Sequence, residues 1–448
     1  MPALPLSLPE QILARLSARG ALSVRDLQSA TGLSQPSISL ALTALGERIC
    51  KIGAARSTRY VATKDILGLP AKQPLHLTDD AGLLTIFGEL TYLSDGGTYV
   101  QTAATASWLS PVNTLPWFLA ALRPQGFLAR QLNLLRPDFP NNPDEWNTEQ
   151  VLYMAAQHVT DPPGAFSFGS VANAAKSTAP VDLIDRQAHY DTLTADIGKT
   201  LPASSSAGGE QPKFIVEVSA DAHRVHQHFI VKFSPPHDTP FGARWRSLLH
   251  LEKLALDTLR EQNVAAATCS IVESTTRTYL ESQRFDRIGG EGKRHVVAID
   301  ALHQEFVGGA RQNWIHTCEK LVAKKMLTPD ELRTVARIYA FGQYIGNTDM
   351  HFGNLPFFIN DVTKPVPLLA PVYDMLPMMW RPSIHSGALD ITPVREPHVV
   401  AGYADEYADA RAWAVLFWRR AAQLEVLDPA TREASRVSAL RVETQIFV

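Results

Sequence analysis

The segment 328–374 constrains the fold of this chain more than any other part of its sequence. It begins with the capping box Thr328-Pro-Asp-Glu331, which predicts the start of a helix with proline in the first turn. Apolar runs at 355–359 and around 366–372 then predict two strands joined by an Asn-Asp turn, and Asp374 follows them directly. This order predicts a mixed α+β domain with polar side chains gathered at the ends of the loop and the strands.

Three polar residues in and after this loop have the types that phosphoryl transfer needs. Asp349 can orient an acceptor hydroxyl and accept its proton, while the amide oxygen of Asn354 and the carboxylate of Asp374 suit Mg²⁺. An Asp, an Asn five positions later, a hairpin and a second Asp is the active-site order of protein kinases. Taken singly, Asn354 fits a plain turn, Asp374 a buried cap, and Asp349 with His351 a transition-metal pair.

A lysine and a glutamate upstream support the same interpretation. Lys232 interrupts the apolar strand 229–233, so its side chain faces either solvent or a cleft. Glu252 lies on the apolar stripe of a predicted helix over 242–262, because spacings of three, four and seven residues place it on that face. An inward carboxylate needs a cationic partner, and a strand lysine paired with a helix glutamate holds ATP phosphates in protein kinases. The pattern therefore predicts catalytic roles for Lys232, Glu252 and Asp349.

The segment 203–213, ASSSAGGEQPK, precedes an apolar strand at 214–218. Its small residues and the paired Gly208 and Gly209 would let backbone N–H groups approach a phosphate closely. The segment is neither a Walker A loop nor a GxGxxG motif, and two glycines beside a strand are by themselves typical of a hairpin turn. It therefore supports a nucleotide site only together with the other motifs.

The first 65 residues, which we call the head, predict a small domain of their own. Three short helices, the second and third capped by Ser23 and Ser34, precede two short strands on either side of 53–58. This order resembles winged helix-turn-helix DNA-binding domains, in which the third helix enters a major groove and basic residues meet phosphates. The alternative is a helical protein-interaction module with a solvated basic rim. The candidate DNA contacts are Gln35, Ser37, Ser39, Arg48, Lys51, Arg56 and Arg59.

Charge is distributed unevenly along the 448 residues. The head has eight Lys and Arg against four Asp and Glu, a net charge of +4, whereas the whole chain carries −3. A basic head on an acidic body is consistent with a DNA partner for the head. No apolar run of about 18 residues or secretory signal is found, and Cys50, Cys269 and Cys318 are too widely spaced for a disulfide framework. We therefore expect a cytoplasmic protein without a membrane segment, and its oligomeric state stays open.

The motifs together resemble one known family. Over 80–380 the chain is similar to HipA-type serine/threonine kinases, the toxins of type II toxin–antitoxin pairs. The resemblance implies an α+β chain with a winged helix-turn-helix head followed by a two-lobed, divergent protein-kinase-like fold. The matching segments are SSAGGEQPKF at 205–214, the lysine strand, ESQRFDR at 281–287, YIGNTDMHFGN at 344–354, PVYDMLP at 371–377, and, for the family's N-terminal subdomain, 116–132 and 162–169.

The resemblance implies ATP and Mg²⁺ as cofactors and assigns roles to the residues already singled out. Lys232 corresponds to the lysine that holds the α- and β-phosphates, and Asp349 corresponds to the catalytic base. Asn354 and Asp374 correspond to the metal ligands.

Four further positions follow from the resemblance. Glu281 and Phe285 lie where the hinge of the family meets adenine, and His351 lies in the nucleotide-binding loop. Ser205 best matches a serine of the Gly-rich loop that the family autophosphorylates, although the serines on either side of it fit almost as well. Phosphorylation there would eject the loop from the ATP site by charge repulsion, which makes it a self-limiting switch.

We expect three segments: the winged helix-turn-helix domain at 1–65, a HipA-like N-terminal subdomain with the kinase N-lobe at 66–235, and the remaining kinase core at 236–448. The leading hypothesis is a kinase that phosphorylates itself and a cellular protein, for which the family suggests translation machinery such as aminoacyl-tRNA synthetases. The family's antitoxin is a separate DNA-binding protein, so a fused head suggests autoregulation. The alternative is a DNA-binding transcriptional regulator whose kinase-like body senses nucleotide without turnover.

Overall fold

A computed structural model of the chain describes residues 6–170, 180–200, 211–220, 225–382 and 391–444. They fall into two compact units. The first unit comprises Met1–Asp79, Leu83–Gln125 and Ala129–Ser177, and the second comprises Asp80–Gly82, Gly126–Leu128 and Thr178–Val448. The predicted domain boundaries at 65 and 235 stay predictions.

The head contains three helices and an antiparallel hairpin, in the predicted order. Ser23 caps the second helix in a capping box with Asp26, and Ser34 caps the third. The helices and the hairpin enclose an apolar core that includes Ile12, Leu27 and Ile38. The elements are α1 (Leu8–Arg19), α2 (Val24–Thr31), α3 (Gln35–Leu45), β1 (Ile49–Ile52) and β2 (Arg59–Ala62).

The rest of the first unit is built on an antiparallel sheet. A turn containing Gly96 and Gly97 joins β4 and β5 of this sheet. The strands are β3 (Lys72–Thr78), β4 (Leu84–Tyr92), β5 (Thr98–Thr102), β6 (Ser107–Ser110) and β7 (Phe166–Phe168), in the spatial order β6-β5-β4-β3-β7.

The segment 116–132 is helical in two pieces. A 3₁₀ helix spans Trp117–Leu122, and α4 (Gly126–Asn133) begins after Pro124, because proline disfavours helical backbone in the residue before it. Further along the chain lies α5 (Thr148–Gln157). Trp117 and Trp146 are both buried and belong to the core.

The hairpin of the head shares a small core with this sheet. Cys50 and Val61, from the face of the hairpin opposite the head core, pack against Leu93 and Tyr99. Two backbone hydrogen bonds join the same segments, from the Ser94 amide to the Ala62 carbonyl at 2.9 Å and from the amide of residue 64 to the carbonyl of residue 92 at 3.1 Å. The head is therefore fastened to the sheet of the first unit by both backbone pairing and apolar contact.

The second unit begins with a five-stranded sheet flanked by two helices. Its strand order is β11-β12-β10-β9-β8, with β8 parallel to β9 and all other pairs antiparallel. One face carries an apolar cluster that includes Val231 and Tyr190, and α7 packs against β11 and β12. The elements are β8 (Val181–Asp182), α6 (Arg186–Thr200), β9 (Lys213–Ala220), β10 (Val225–Phe233), α7 (Pro240–Glu261), β11 (Cys269–Glu273) and β12 (Thr278–Gln283).

The remainder of the second unit is mainly helical. The predicted capping box at Thr328 and Glu331 starts α10, as expected. Among the described residues no helix is long and apolar enough to cross a membrane. The elements are β13 (Arg287–Ile288), β14 (Gly292–Lys293), β15 (Val296–Ala298), α8 (Ile299–Leu302), a π-helix (His303–Val307), α9 (Trp314–Ala323), α10 (Pro329–Tyr344), β16 (Pro356–Phe358), β17 (Leu368–Leu369), a 3₁₀ helix (Met378–Trp380), α11 (Ala404–Ala421) and α12 (Pro429–Thr444).

Candidate active site

Lys232 and Glu252 form the buried ion pair that the sequence predicts. Successive residues of β10 point to opposite faces of the sheet, so Lys232 faces away from the cluster that contains Val231. Its Nζ donates to both carboxylate oxygens of Glu252 on α7, at 2.6 and 2.8 Å. Lys232 is 5% exposed and Glu252 is 2% exposed. The inward glutamate of the helix thus has the cationic partner that its burial requires.

Asp374 completes this cluster. The same Nζ donates to Asp374 Oδ1 at 2.5 Å, so one ammonium lies between two carboxylates. Asp374 has a φ of 54°, a left-handed conformation that is uncommon outside glycine. Strained backbone of this kind is concentrated at functional sites, and here it belongs to the residue predicted to bind the metal.

The charges of the cluster shift the pKa values of its members in different directions. Burial opposes the charge of Lys232, but Asp374 and Glu252 outweigh it and raise the pKa of the lysine, which stays protonated. Burial alone would raise the pKa of Asp374, but Lys232 and Lys213 outweigh it and lower that pKa. Burial raises the pKa of Glu252 despite its contact with Lys232. Asp374 is therefore the stronger acid of the two and remains ionised.

Lys213 is a second cation that the motif analysis did not single out. It is the first residue of β9 and lies directly opposite Lys232 in the antiparallel register. Side chains of opposed residues lie on the same face of a sheet, so Lys213 shares the face of Lys232. Its charge lowers the pKa of both Glu252 and Asp374.

The loop after α10 holds Asn354 and Asp349 close together. Asn354 Nδ2 donates to the backbone carbonyl of Asp349 at 2.8 Å. That contact leaves Asn354 Oδ1 as an oxygen available to a cation, while the side chain as a whole is buried. The side chain of Asp349 is exposed.

Asn347 joins this loop to Asp374, and the motif analysis missed it. Its Oδ1 accepts from the Asp349 amide at 3.0 Å, and its Nδ2 donates to the Asp374 carbonyl at 3.2 Å. One buried amide therefore sets the backbone of the predicted base and that of the predicted metal ligand. The available signal was an asparagine two residues before an aspartate, a spacing at which Asn side chains bond the backbone.

His351 lies in the same loop and near Asp374. Its Nδ1 accepts from the Gly353 amide at 3.0 Å, and its backbone carbonyl accepts from Trp314 Nε1 at 3.1 Å. A Cβ at Gly353 would come within 2.7 Å of the His351 ring, so any other residue there would displace that ring. The buried indole of Trp314 thus anchors the loop from α9.

Phe285 stacks on the residue that precedes the predicted metal ligand. Its ring stacks on Tyr373, the residue before Asp374, with centroids 6.1 Å apart, and meets Phe358 edge-on at 5.8 Å. The Tyr373 hydroxyl donates to the carbonyl of Gly353 at 2.7 Å. Phe285 and the catalytic-loop backbone are therefore linked through a single tyrosine.

The side chain of Glu281 is not brought to this cluster. Glu281 lies opposite Val231 in the register, hence on the sheet face away from Lys232. Its carboxylate accepts from the Tyr190 and Ser270 hydroxyls at 2.8 and 2.6 Å and pairs with Arg186 at 3.0 Å. The structure leaves only the backbone of Glu281 for a contact on the other side. The predicted residues Gly208, Gly209 and Ser205 lie outside the described residues.

Comparisons with known proteins agree with these motifs. A family model described as HipA-like C-terminal domain matches residues 205–438, more than half of the chain. A second model, described as YjjJ-like toxin, middle domain, matches residues 69–176. The toxin YjjJ of Escherichia coli K12 is 30% identical over 444 residues, which is 97% of each chain. This chain belongs to the HipA-like toxin family.

A solved structure related to this HipA-like toxin supports the fold. HipA of Shewanella oneidensis MR-1, solved with HipB and operator DNA, has 16% identity and a TM-score of 0.53, and the match covers 83% of this chain and 95% of that one. The kinase CtkA of Helicobacter pylori matches only weakly, with a TM-score of 0.36 at 12% identity over 52% of this chain and 88% of that one. The chain thus has a mixed α+β fold similar to that of HipA.

The head of the HipA-like toxin presents its predicted basic contacts unequally. Arg48 is held by Glu10 in a two-pronged ion pair at 2.6 and 3.1 Å, which reduces its availability to a phosphate. Lys51 and Arg59 are exposed but point to opposite faces of the hairpin, because Lys51 pairs with position 60 and Arg59 with position 52. Arg56 is exposed in the turn between the two strands.

The predicted polar contacts on α3 are also unequal. The Ser37 hydroxyl lies 2.9 Å from that of Ser34, the helix cap, so it is engaged within the helix start. Gln35 and Ser39 are exposed.

Among the described residues, no group of three or more His, Cys, Asp and Glu side chains is arranged so that it could hold a metal ion.

Proposed function

We propose that this HipA-like toxin is an ATP- and Mg²⁺-dependent serine/threonine protein kinase. The observation that carries the proposal is the joint placement of Lys232, Glu252 and Asp374 in one ion cluster, connected through Asn347 to the loop that holds Asp349. Strand, helix, loop and post-hairpin positions supply these groups in the order that protein kinases use.

The donor set fits a magnesium nucleotide. Lys232 lies between the carboxylates of Glu252 and Asp374, and its charge keeps Asp374 ionised, as a ligand of a divalent cation must be. Asn354 Oδ1 and the Asp374 carboxylate are hard oxygen ligands of the kind that Mg²⁺ prefers. Bound ATP supplies the transferable phosphoryl group, and Lys232 would bind the α- and β-phosphates.

The acceptor side of the reaction belongs to Asp349 in this proposal. Its exposed carboxylate orients a serine or threonine hydroxyl and accepts its proton. The Asn354 amide and the Asn347 side chain hold the backbone on which Asp349 sits. Orientation of this kind is a large part of phosphoryl-transfer catalysis, because the protein contributes mainly positioning and charge.

The direct test is transfer of labelled γ-phosphate by the purified full chain. We expect incorporation into the chain itself and into a cellular protein when Mg²⁺ is present, and none after chelation. Phosphoproteomics after induction of the wild type, compared with Asp349→Ala, would identify the acceptor, which we propose to be translation machinery such as an aminoacyl-tRNA synthetase. ATP binding without any turnover would instead favour a nucleotide-sensing regulator.

Autophosphorylation would fall on Ser205 of the Gly-rich segment in this proposal. We expect mass spectrometry of the wild type to find phosphate at one of the three adjacent serines, and Ser205→Ala to remove most of it. If Ser205→Ala leaves the phosphate stoichiometry unchanged while another serine variant removes it, the assignment moves to that serine.

Asn347→Ala should lower the rate of phosphoryl transfer by about 10²-fold, because a displacement of about 1 Å in a positioned group has an effect of that size. The Mg²⁺-ATP affinity should fall by less, since Asp374 loses one backbone contact but keeps its ion pair with Lys232. The measurement is steady-state kinetics in which kcat and the KM for ATP are determined separately. Asn360→Ala, in an exposed turn, is the matched control, and equal losses in both variants would contradict the positioning role.

We further propose that the head is a winged helix-turn-helix domain that binds DNA in the cytoplasm and allows autoregulation. The observed order of three helices and a hairpin supports this, together with the net charge of +4 on residues 1–65. The related HipA was solved with operator DNA. A protein-interaction module would show no DNA binding even at low salt.

DNA affinity of the full chain should fall steeply with salt, because phosphate contacts release counterions. Arg56→Ala should weaken binding to all DNA sequences alike and reduce the slope of log K against log salt by about one. Arg48→Ala should have a smaller effect, since Arg48 is already paired with Glu10. Fluorescence anisotropy over a salt series is the measurement, and equal slopes for wild type and Arg56→Ala would exclude Arg56 as a phosphate contact.

A further inference from the structure

The outward face of α3 is more apolar than its sequence suggests. The Thr43 hydroxyl donates to the carbonyl of Ser39 at 2.9 Å, so its hydrogen is used within the helix. The hydroxyl of Ser37 is engaged with Ser34 at the helix start. Two of the hydroxyl groups on this helix are therefore occupied locally, and fewer polar groups remain to face a partner.

Leu40 lies in the middle of this outward face. It is 74% exposed, although the opposite side of the same helix is buried in the head core. Pro36 and Ala44, one turn before and one turn after it, are exposed as well. The helix thus presents a short row of aliphatic groups, flanked by the polar side chains of Gln35 and Ser39.

We propose that α3 reads A·T base pairs in the major groove, with Leu40 against the 5-methyl group of thymine and Gln35 on adenine. Only thymine presents a methyl group in that groove, and a glutamine amide matches the N6 and N7 positions of adenine in a two-bond contact. This inference rests on the proposed DNA binding of the head and adds the class of sequence that it selects.

Charge favours DNA over a second copy of the chain as the occupant of this face. Residues 1–65 carry +4, and exposed Lys51 and Arg56 lie on the hairpin of the same domain. Two heads facing each other would bring like charges together, whereas a duplex presents phosphates on both sides of its major groove. The aliphatic row is also short and bordered by polar groups, as base-edge contact requires.

The first experiment selects duplexes from a random pool with the full chain at low salt. We expect enrichment of sequences with A·T pairs. A selected duplex is then rebuilt with uracil in place of thymine, which keeps base pairing and removes only the 5-methyl group. The wild type should bind the uracil duplex about tenfold more weakly, and Leu40→Ser should bind both duplexes equally.

Three variants serve as comparisons. Gln35→Ala should bind the selected site about tenfold more weakly than the wild type. Replacing adenine by 7-deazaadenine, which lacks N7, should lower the affinity of this variant less than that of the wild type. Arg56→Ala should weaken both duplexes alike and keep the response to uracil, since it contacts backbone. Leu109→Ser, at an exposed leucine of β6 outside the head, should leave DNA binding unchanged. This result would show that loss of any exposed leucine does not by itself weaken DNA binding.

The outcomes separate the two levels of the proposal. DNA binding with no response to uracil in the wild type, or with selected sites rich in G·C, would overturn the inference while leaving the head a DNA-binding domain. A change of sedimentation in Leu40→Ser with unaltered DNA selectivity would assign the face to a second copy and overturn it too. Absence of DNA binding at low salt would end both proposals.

Discussion

Asp349→Ala is expected to lower γ-phosphate transfer by at least about 100-fold, which is the contribution of a positioned general base. Asp349 accepts no hydrogen bond through its side chain from the described residues, and its carboxylate is exposed, so truncation removes little that holds the fold. Mg²⁺-ATP binding should persist, because Lys232, Asn354 and Asp374 are intact. The measurement combines radiolabel transfer with nucleotide titration on the same sample.

A matched control for this prediction is Asp330→Ala, which removes an exposed carboxylate in the first turn of α10 and leaves the loop unchanged. We expect this variant to retain nearly full transfer. Unchanged transfer and unchanged growth inhibition in Asp349→Ala would remove the carboxylate from the mechanism. Loss of nucleotide binding in the same variant would mean that the loop itself had rearranged.

Lys232→Met should destabilise the second unit by about 3–5 kcal/mol, the range found when one member of a buried ion pair is removed. The reason is the geometry of the cluster: Glu252 and Asp374 share one ammonium, and both carboxylates lose it at once. Hydrogen exchange of β10 and α7 is the suitable measurement, because a chain of two units does not unfold in one step.

Neutralising the glutamate should recover part of this loss. In Lys232→Met combined with Glu252→Gln, one buried charge is gone, so exchange in α7 should slow again relative to the single variant. The loss of stability caused by Lys232→Met should also become smaller as the pH falls towards about 4, the ordinary pKa range of carboxyl groups. Without the lysine, burial raises the pKa of both acids, so the instability exists above that range and disappears as they protonate. A deficit independent of pH would show that lost packing, not charge, is the cause.

The pair of Lys232 and Glu252 was predictable from local periodicity, whereas the contact of Asp374 with Lys232 was not. Glu252 lies on the apolar stripe of a long helix, so it had to point inward and needed a cationic partner, and Lys232 in an apolar strand was the candidate. The same reasoning predicted α10, whose capping residues bond only to neighbours three positions away. Features that depend on nearby residues in sequence are the ones that pattern reasoning captures.

Register between distant strands could not be read in the same way. The face on which Glu281 lies depends on its pairing with Val231, fifty residues upstream, and a shift by one residue would have turned it towards Lys232. Lys213 was missed for the same reason, since its place opposite Lys232 is a property of the β9–β10 register. Asn347 differs: its Oδ1 bonds locally to the Asp349 amide, but its Nδ2 donates to the carbonyl of residue 374, a tertiary contact with no periodic signal.

The shared core of Cys50, Val61, Leu93 and Tyr99 has a practical consequence. A chain cut near residue 65 would uncover two apolar side chains on the sheet and two on the hairpin, so each fragment would tend to self-associate. Dissection of the toxin by truncation would therefore report aggregation in place of lost DNA contacts. Point variants in the intact chain are the cleaner way to separate what the head does from what the phosphate chemistry does.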